Sequence, residues 1–330
     1  MPASSIAPAK CDRLVMKVQC SRNSRCLVAN RSSKLFFRAL LRHGGVVKEF
    51  GTREAIVNEL ADECGLSKVQ RSAYLETTYR KQNRLKKSKL WHRLLFRAAD
   101  SLAKQNLVTR PTETRLLTQE RQWMLTERGF DQALALCNIP AREKENLPTK
   151  SYEVQKIVNK LLAASVPENY SPFDTKKRLM STNVEFVLRT RGFRQAVIEA
   201  YAHRCAVCGL KIQSPNLITW EVQAAHIVPN GLRGRDDVCN GIALCRLHHW
   251  AFDVGWFTLL DDYKLEVSPK IDGVPAHFGK IEKFQFLRSL AKKRGHIHLP
   301  PRREIYPHRN AITWHRQNVF SLCAIRGCLR

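Results

Sequence analysis

Four potential metal ligands occur as two short pairs in the second half of the chain. Cys205 and Cys208 are separated by two residues, and Cys245 and His248 have the same spacing. A Cys-x-x-Cys turn presents two thiolates from one tight loop, and residues three apart on a predicted helix share a face. The set predicts a closed, structural Zn²⁺ site; the alternative, a group of buried free thiols, is disfavoured by the paired spacing. Cys239 has no partner at ligand spacing, so we expect it to be a small apolar core residue.

A second set of polar residues is interleaved with the first. It comprises His226, Asn240, His249 and Asp253. On a helix of roughly 3.6 residues per turn, His249 and Asp253 share a face, whereas His248 points about 100° away from His249. The doubled histidine can therefore serve two metal sites. An imidazole is suited to deprotonating water near neutral pH, and a hard metal ion relieves charge on a leaving oxygen, so the set has the parts needed for hydrolysis.

The segment Tyr201–Gly255 resembles the HNH endonucleases of the ββα-metal class. The sequence Ala-Ala-His-Ile-x-Pro at 224–229 and the sequence Asn-Gly-Ile-x-Leu-Cys-x-x-His-His-x-x-Phe-Asp at 240–253 carry the resemblance. The two sequences are similar to those of a branch of predicted restriction endonucleases, and the resemblance continues at 191–197 and 314–320. It therefore covers most of the second half of the chain.

The resemblance implies a role for each residue of the second set. His226 would be the general base that deprotonates water for in-line attack on a phosphodiester, and Asn240 would hold the loop and the orientation of His226. His249 would bind one catalytic divalent ion, such as Mg²⁺ or Mn²⁺, that polarises the scissile phosphate and stabilises the departing 3′ oxygen.

One position departs from the family pattern. Many HNH enzymes carry an Asp or a second His immediately before the base as a metal ligand, and this chain has Ala225 there. Asp253 is the first candidate for the missing ligand, although it could instead cap or brace the helix end. The weaker candidates are Asp236, Asp237 and Glu221.

The charge of the chain indicates a polyanionic partner. There are 56 Lys plus Arg against 29 Asp plus Glu, a formal net charge of +27. Such a surface neutralises phosphates without reading sequence, so we expect DNA as partner. The candidate phosphate contacts near the site are Arg189, Arg191, Arg194, Arg233, Arg235 and Arg246.

The remaining composition bounds the environment of the protein. No segment approaches the roughly 20 apolar residues needed to cross a bilayer, so no membrane association is expected. The eleven cysteines are scattered through a long basic chain and do not resemble a disulfide scaffold. These features predict a cytoplasmic protein. A homodimer is possible, since cutting two strands needs two active sites or two encounters.

The periodicity predicts an α+β chain of two domains. We expect a disordered leader over 1–33, a mostly helical domain over 34–139 and a linker with a short helix over 140–182. The resemblance implies that the zinc-containing ββα-metal nuclease domain spans 183–330, with its core at 201–255.

Helices followed by a small hairpin make the domain at 34–139 winged-helix-like. Leu90, Leu94, Ala98 and Leu102 recur every fourth residue through a long helix, and Leu116 with Leu117 is interpreted as part of a short strand. The pattern resembles the amino-terminal domain of Mrr-type restriction enzymes, which implies a duplex-binding or partner-binding module. A helical dimerisation domain is the alternative. The candidate phosphate contacts are Lys81, Arg84, Lys86, Lys87 and Lys89.

The combined prediction is a metal-dependent DNA endonuclease. The resemblance alone suggests a role in bacterial restriction or phage defence. Three alternatives remain open at this point: a homing or mobile-element nuclease, an RNase that uses the same chemistry, and a catalytically silent DNA-binding protein whose zinc site only holds the fold.

Overall fold

The computed structural model describes residues 34–50, 55–79, 84–141, 144, 147–167, 169–174, 183–215, 219–270 and 295–321. The chain divides into two compact units between Tyr152 and Glu153. The predicted leader at 1–33, Lys81, and the side chains of Arg84 and Lys86 lie outside what is described. None of the described helices is both long enough and apolar enough to span a membrane.

The first unit combines helices with two small antiparallel sheets. In chain order its elements are α1 (34–42), β1 (Val46–Lys48), α2 (Ala55–Glu63), α3 (Lys68–Ser72), β2 (Tyr74–Tyr79), β3 (Arg84–Lys89), α4 (Leu90–Lys104), β4 (Val108–Thr109), α5 (Pro111–Thr118), β5 (Gln122–Leu125) and α6 (Glu127–Leu136). The three-stranded sheet has the order β1-β5-β4, and β2 pairs with β3 as a separate hairpin. The core beneath the larger sheet includes Phe36, Trp123 and Phe130, all fully buried.

The helix α4 is present where the sequence predicts it, but its buried face is shifted. Leu95, Ala99 and Leu102 are buried, whereas Leu94 is 43% exposed. The prediction of a buried residue at every fourth position is therefore only partly confirmed. A 3.6-residue period drifts around the helix, so strict fourth-residue spacing does not stay on one face.

The segment around Leu116 is a helix, so the prediction of a strand there was wrong. Pro111 begins α5, a position where its fixed φ suits helix and its missing N–H costs nothing. Leu116 is 90% exposed, so its apolar side chain does not belong to a buried strand.

The sequence Leu-Thr-Glu-Arg-Gly at 125–129 ends β5 and starts α6. Thr126 caps the helix by accepting a hydrogen bond from the Gly129 backbone N–H at 3.0 Å. A Cβ at Gly129 would lie 1.7 Å from the Leu107 carbonyl oxygen. Glycine is therefore required where α6 passes this backbone.

The second unit contains a ββα motif framed by further helices. Its elements are α7 (Tyr152–Ala163), α8 (Asn183–Ala200), β6 (Val222–His226), β7 (Gly241–Cys245), α9 (Arg246–Asp253), β8 (Phe257–Leu259), β9 (Leu265–Val267) and α10 (Arg309–His315). Both pairs of strands, β6 with β7 and β8 with β9, are antiparallel hairpins.

The helix predicted inside the linker belongs to the core of the second unit. Val154 and Val158 of α7 are buried in the same cluster as Phe193 of α8. Gly192 lets the two helices approach, since a Cβ there would lie 2.5 Å from Ile157. The apolar stripe of α7 is thus explained by packing on α8 rather than by a free linker helix.

His315 joins α10 to the motif helix α9. Its ring stacks on Phe252 of α9 with centroids 3.7 Å apart, and its Nε2 donates to the Phe252 carbonyl oxygen at 3.1 Å. Thr258 donates to Nδ1 at 2.9 Å. Burial lowers the pKa of His315 to about 4, so the ring is neutral at pH 7 and anchors α10 to the motif helix.

Candidate functional site

The hairpin β6–β7 and the helix α9 position the candidate residues. His226 pairs with Gly241 at one end of the hairpin, and Val222 pairs with Cys245 at the other, where α9 begins. A Cβ at Gly241 would lie 2.4 Å from Val197 of α8. Glycine at this position therefore lets α8 pack directly on the start of β7, opposite His226.

The four predicted zinc ligands converge. The ligand atoms of Cys205, Cys208, Cys245 and His248 all lie within 4.8 Å of one another. The Cys208 and Cys245 sulfurs are 4.0 Å apart, and His248 Nδ1 lies 3.6 Å from Cys205 Sγ. Zn–S bonds of about 2.3 Å in a tetrahedron place two sulfurs about 3.8 Å apart, so the donor set fits one Zn²⁺ ion.

The electrostatics of this cluster favour a negatively charged sulfur at its centre. Hydrogen bonds from Cys208 and Cys245 lower the pKa of Cys205. Burial lowers the pKa of His248, but hydrogen bonds to Cys205 and Cys208 outweigh it and raise the value to about 9. A charged sulfur beside a basic ring is the arrangement that a cation stabilises, because the metal takes the place of the shared protons.

Cys239 stands apart from this cluster, as the sequence predicted. It is buried, and its sulfur donates to the Glu304 carbonyl oxygen at 3.5 Å. Burial raises its pKa to about 12, so it remains a protonated, inert thiol.

His226 is held between an aromatic ring and a carboxylate. Its ring stacks on Phe193 of α8 with centroids 3.8 Å apart and planes 19° apart. Its Nε2 lies 3.0 Å from Asp236 Oδ1. The Asp236 side chain is only 2% exposed. Sequence reasoning placed Asp236 among possible metal ligands and did not identify this contact.

Asn240 is fully buried and closes the loop between β6 and β7. Its Oδ1 accepts from the Val228 N–H at 2.9 Å, and its Nδ2 donates to the Val228 and Arg235 carbonyl oxygens at 3.0 Å. All of its side-chain bonds go to backbone. The residue therefore stabilises the loop that follows His226 and does not face solvent.

His249 forms a second group with Gln223 and Asp253. Its Nδ1 donates to Gln223 Oε1 at 3.0 Å, and its Nε2 lies 3.6 Å from Asp253 Oδ2. The hydrogen bond to Gln223 fixes the ring and leaves Nε2 beside a carboxylate, the usual arrangement of a metal-ligating histidine. Burial raises the pKa of Asp253 and the adjacent His249 lowers it. The sequence analysis did not identify Gln223 as a residue of the site.

The other candidate ligands have structural partners. Ala225, whose side chain has no atom that could bind a metal, is completely buried. Glu221 Oε1 accepts from the Arg246 N–H at 3.0 Å and so caps α9. Asp237 accepts hydrogen bonds from the Tyr170 hydroxyl at 2.7 Å and from the Asn240 N–H at 3.0 Å. These contacts leave the pair His249 and Asp253 as the better metal-binding candidate.

Two groups of side chains result. Gln223 and His226 are three residues apart on β6, so their side chains leave opposite faces of the strand. His226 contacts Phe193 and Asp236, whereas His249 contacts Gln223 and Asp253. The first group can accept a proton, and the second can bind a cation.

The six candidate arginines differ in exposure. Arg194, Arg233, Arg235 and Arg246 are exposed. Arg189 pairs with Asp174 at 3.3 Å. Arg191 is only 6% exposed, so a surface contact with phosphate does not fit its position, and that expectation is corrected.

Comparison with known proteins places the motif in a family. Residues 205–260 match the model of a family described as HNH endonuclease. A solved structure titled "Modification dependent TagI restriction endonuclease" is similar at 24% identity and a TM-score of 0.28; the match covers 38% of this chain and 37% of that one. The chain thus spans little more than a third of the length of that protein. Among curated proteins, none matches.

Proposed function

We propose that this chain, whose residues 205–260 are an HNH endonuclease domain, hydrolyses phosphodiester bonds in duplex DNA. The observation that carries the proposal is the pairing of a fixed imidazole, His226, with a separate His249–Asp253 pair on the motif helix. Hydrolysis near pH 7 needs both a proton acceptor and positive charge at the leaving oxygen. The net charge of +27 supports a nucleic acid as substrate.

His226 serves as the general base in this proposal. Nε2 faces a carboxylate, which only accepts hydrogen bonds, so Nε2 carries the hydrogen and Nδ1 is the proton acceptor. Phe193 fixes the ring plane, so Nδ1 points in one direction. A water molecule held at Nδ1 gives up its proton as its oxygen attacks phosphorus.

His249 and Asp253 are the candidate ligands of a divalent ion. Their nitrogen and oxygen atoms are close enough to bind the same ion, and Gln223 holds the ring in place. Mg²⁺ commonly binds through one or two carboxylates and keeps several waters, so few protein ligands suffice. When bound, the ion supplies positive charge that stabilises the departing oxygen.

The first unit is proposed as the duplex-binding module. Its sheet order β1-β5-β4, with α4 immediately before β4, supports the winged-helix interpretation, in which α4 would be the recognition helix. The hairpin β2–β3 precedes this helix and presents Lys87, which is 61% exposed. Exposed lysines on such a ribbon are suited to phosphate contacts that position the duplex.

The biological role is proposed from the sequence resemblance. The sequence of the motif supports a role in restriction or phage defence. The test uses the full chain with Mg²⁺ or Mn²⁺ on plain, methylated and phosphorothioated supercoiled plasmid, with EDTA and RNA in parallel. We expect metal-dependent nicking of DNA. Cutting of RNA alone would replace the proposal with an RNase, and no cutting of any nucleic acid would leave a DNA-binding protein.

Gln223→Ala is expected to raise the Mg²⁺ concentration needed for half-maximal cleavage by about 10- to 100-fold, because the His249 ring loses the acceptor that orients it. The rate at saturating Mg²⁺ should change much less. Metal titrations of plasmid nicking measure both quantities. Gln317→Ala, the same change at an exposed position, serves as control. An unchanged metal requirement would contradict the assignment of His249 as a metal ligand.

A further inference from the structure

The carboxylate of Asp236 is buried beside the proposed base. Asp236 Oδ1 lies 3.0 Å from His226 Nε2, and 2% of the side chain is exposed. A buried carboxylate has a high desolvation cost, and such groups persist where they have hydrogen-bond or charge partners. Lys160, Arg189 and Arg235 line the cavity of about 490 Å³ that Asp236 also borders, together with Asp174 and Asp237, which pair with the two arginines.

Hydrogen bonds from the Asn240 side chain to backbone carbonyl groups fix the position of Asp236. Asn240 Nδ2 donates to the carbonyl oxygen of Arg235, the residue immediately before Asp236, and to that of Val228. Gly234 passes close to the same strand end, since a Cβ there would lie 1.8 Å from the Val228 carbonyl oxygen. The loop therefore returns to the end of β6 with little freedom, and Asp236 meets His226 at a set distance.

We propose that Asp236 is the positioning residue for His226, and that Asn240 acts on cleavage by holding Asp236 in place. Asp236 accepts the Nε2 hydrogen, so it selects the ring tautomer whose Nδ1 can take a proton from water. As the proton arrives, the carboxylate stabilises the positive charge of the ring. The inference rests on the proposed function, because it assigns a residue to the same hydrolytic site.

Binding of the catalytic metal by Asp236 is the competing role. Asp236 contacts His226, whereas Asp253 is the carboxylate beside His249. A metal ligand and a positioning residue differ in their measurable effects. Loss of a ligand changes the metal requirement, whereas loss of a positioning residue changes the rate at saturating metal.

The test substitutes Asp236→Asn in the full chain. The amide can donate to Nε2 and so favours the wrong tautomer, and we expect single-turnover plasmid nicking at saturating Mg²⁺ to fall about 100-fold. The Mg²⁺ concentration for half-maximal rate and the affinity for uncut DNA in Ca²⁺ should stay unchanged. In a His226→Ala background, Asp236→Asn should have no additional effect. Asp262→Asn, at an exposed carboxylate, is the matched control.

Several results would overturn the inference. A raised metal requirement with a normal saturating rate would make Asp236 a ligand, and independent effects of Asp236→Asn and His226→Ala would separate the two residues. If Asp236→Asn does not fold, ¹⁵N-histidine spectra of the wild type decide: the neutral ring of His226 must carry hydrogen on Nε2, and hydrogen on Nδ1 contradicts the proposal. Wild-type protein that cuts no nucleic acid rejects the proposed function itself, whereas active Asp236→Asn rejects only this inference.

Discussion

Substitution of His226 by alanine is expected to lower DNA cleavage by about 10²- to 10⁴-fold, the range that a positioned general base contributes. The variant loses the imidazole that contacts Asp236 and Phe193 and that accepts the proton of the attacking water in the proposed mechanism. Binding of DNA should persist, since the exposed arginines and the first unit are unchanged. The measurement is single-turnover nicking of supercoiled plasmid at saturating Mg²⁺.

Two controls separate a chemical effect from a structural one. His296→Ala removes an exposed imidazole from the same unit and should retain full activity. Thermal unfolding of His226→Ala should remain cooperative but shift to a lower temperature, because the stacking on Phe193 and the hydrogen bond to Asp236 are lost. A His226→Ala protein that is folded and cuts DNA at the wild-type rate would exclude His226 as the base.

The residues that sequence spacing could identify are those related by local geometry. The two pairs of zinc ligands are each three residues apart, and the short turn or helix that contains a pair dictates that both ligands share a face. The adjacent His248 and His249 follow the same reasoning, since helical geometry alone sends them in different directions. Their positions in the structure agree with this: His248 joins the cysteines, and His249 contacts Gln223.

The residues that sequence reasoning missed are those brought together by tertiary structure. Gln223 meets His249 only because α9 folds back on β6, and Asp236 meets His226 only because Asn240 closes a loop of intervening residues. Alternation along β6 was the one available signal, because it places Gln223 on the same face as Ala225, where the family has a metal ligand. Gln223 is the polar residue on that face.

The first unit shows the same limit for secondary structure. The basic stretch that ends at Lys89 was not predicted as a strand, yet it forms β3 and pairs with Tyr74–Tyr79. Lysine has low strand propensity, and cross-strand pairing with a Thr- and Tyr-rich strand outweighs it. Leu116 shows the converse, because this apolar residue follows a helix-starting proline and remains exposed.

Substitution of Cys205 by serine is expected to abolish zinc binding and to unfold the second unit. Structural zinc contributes an apparent binding free energy of about 10–16 kcal/mol, whereas the net stability of a domain is about 5–15 kcal/mol. Loss of the first term can therefore exceed the whole margin. The cluster joins the loop at Cys205 to the junction of β7 and α9, so its loss detaches that loop from the start of the helix that carries His249.

The measurements are zinc content by mass spectrometry and unfolding by circular dichroism. The wild type should hold close to one zinc per chain, and Cys205→Ser should hold none. Cys239→Ser makes the same change at a buried cysteine outside the cluster, where a hydroxyl can still donate to the Glu304 carbonyl, and it should retain zinc and fold. Wild-type protein that folds and cuts DNA without zinc would show that the cysteines are core thiols, and that packing alone holds α9 against β6.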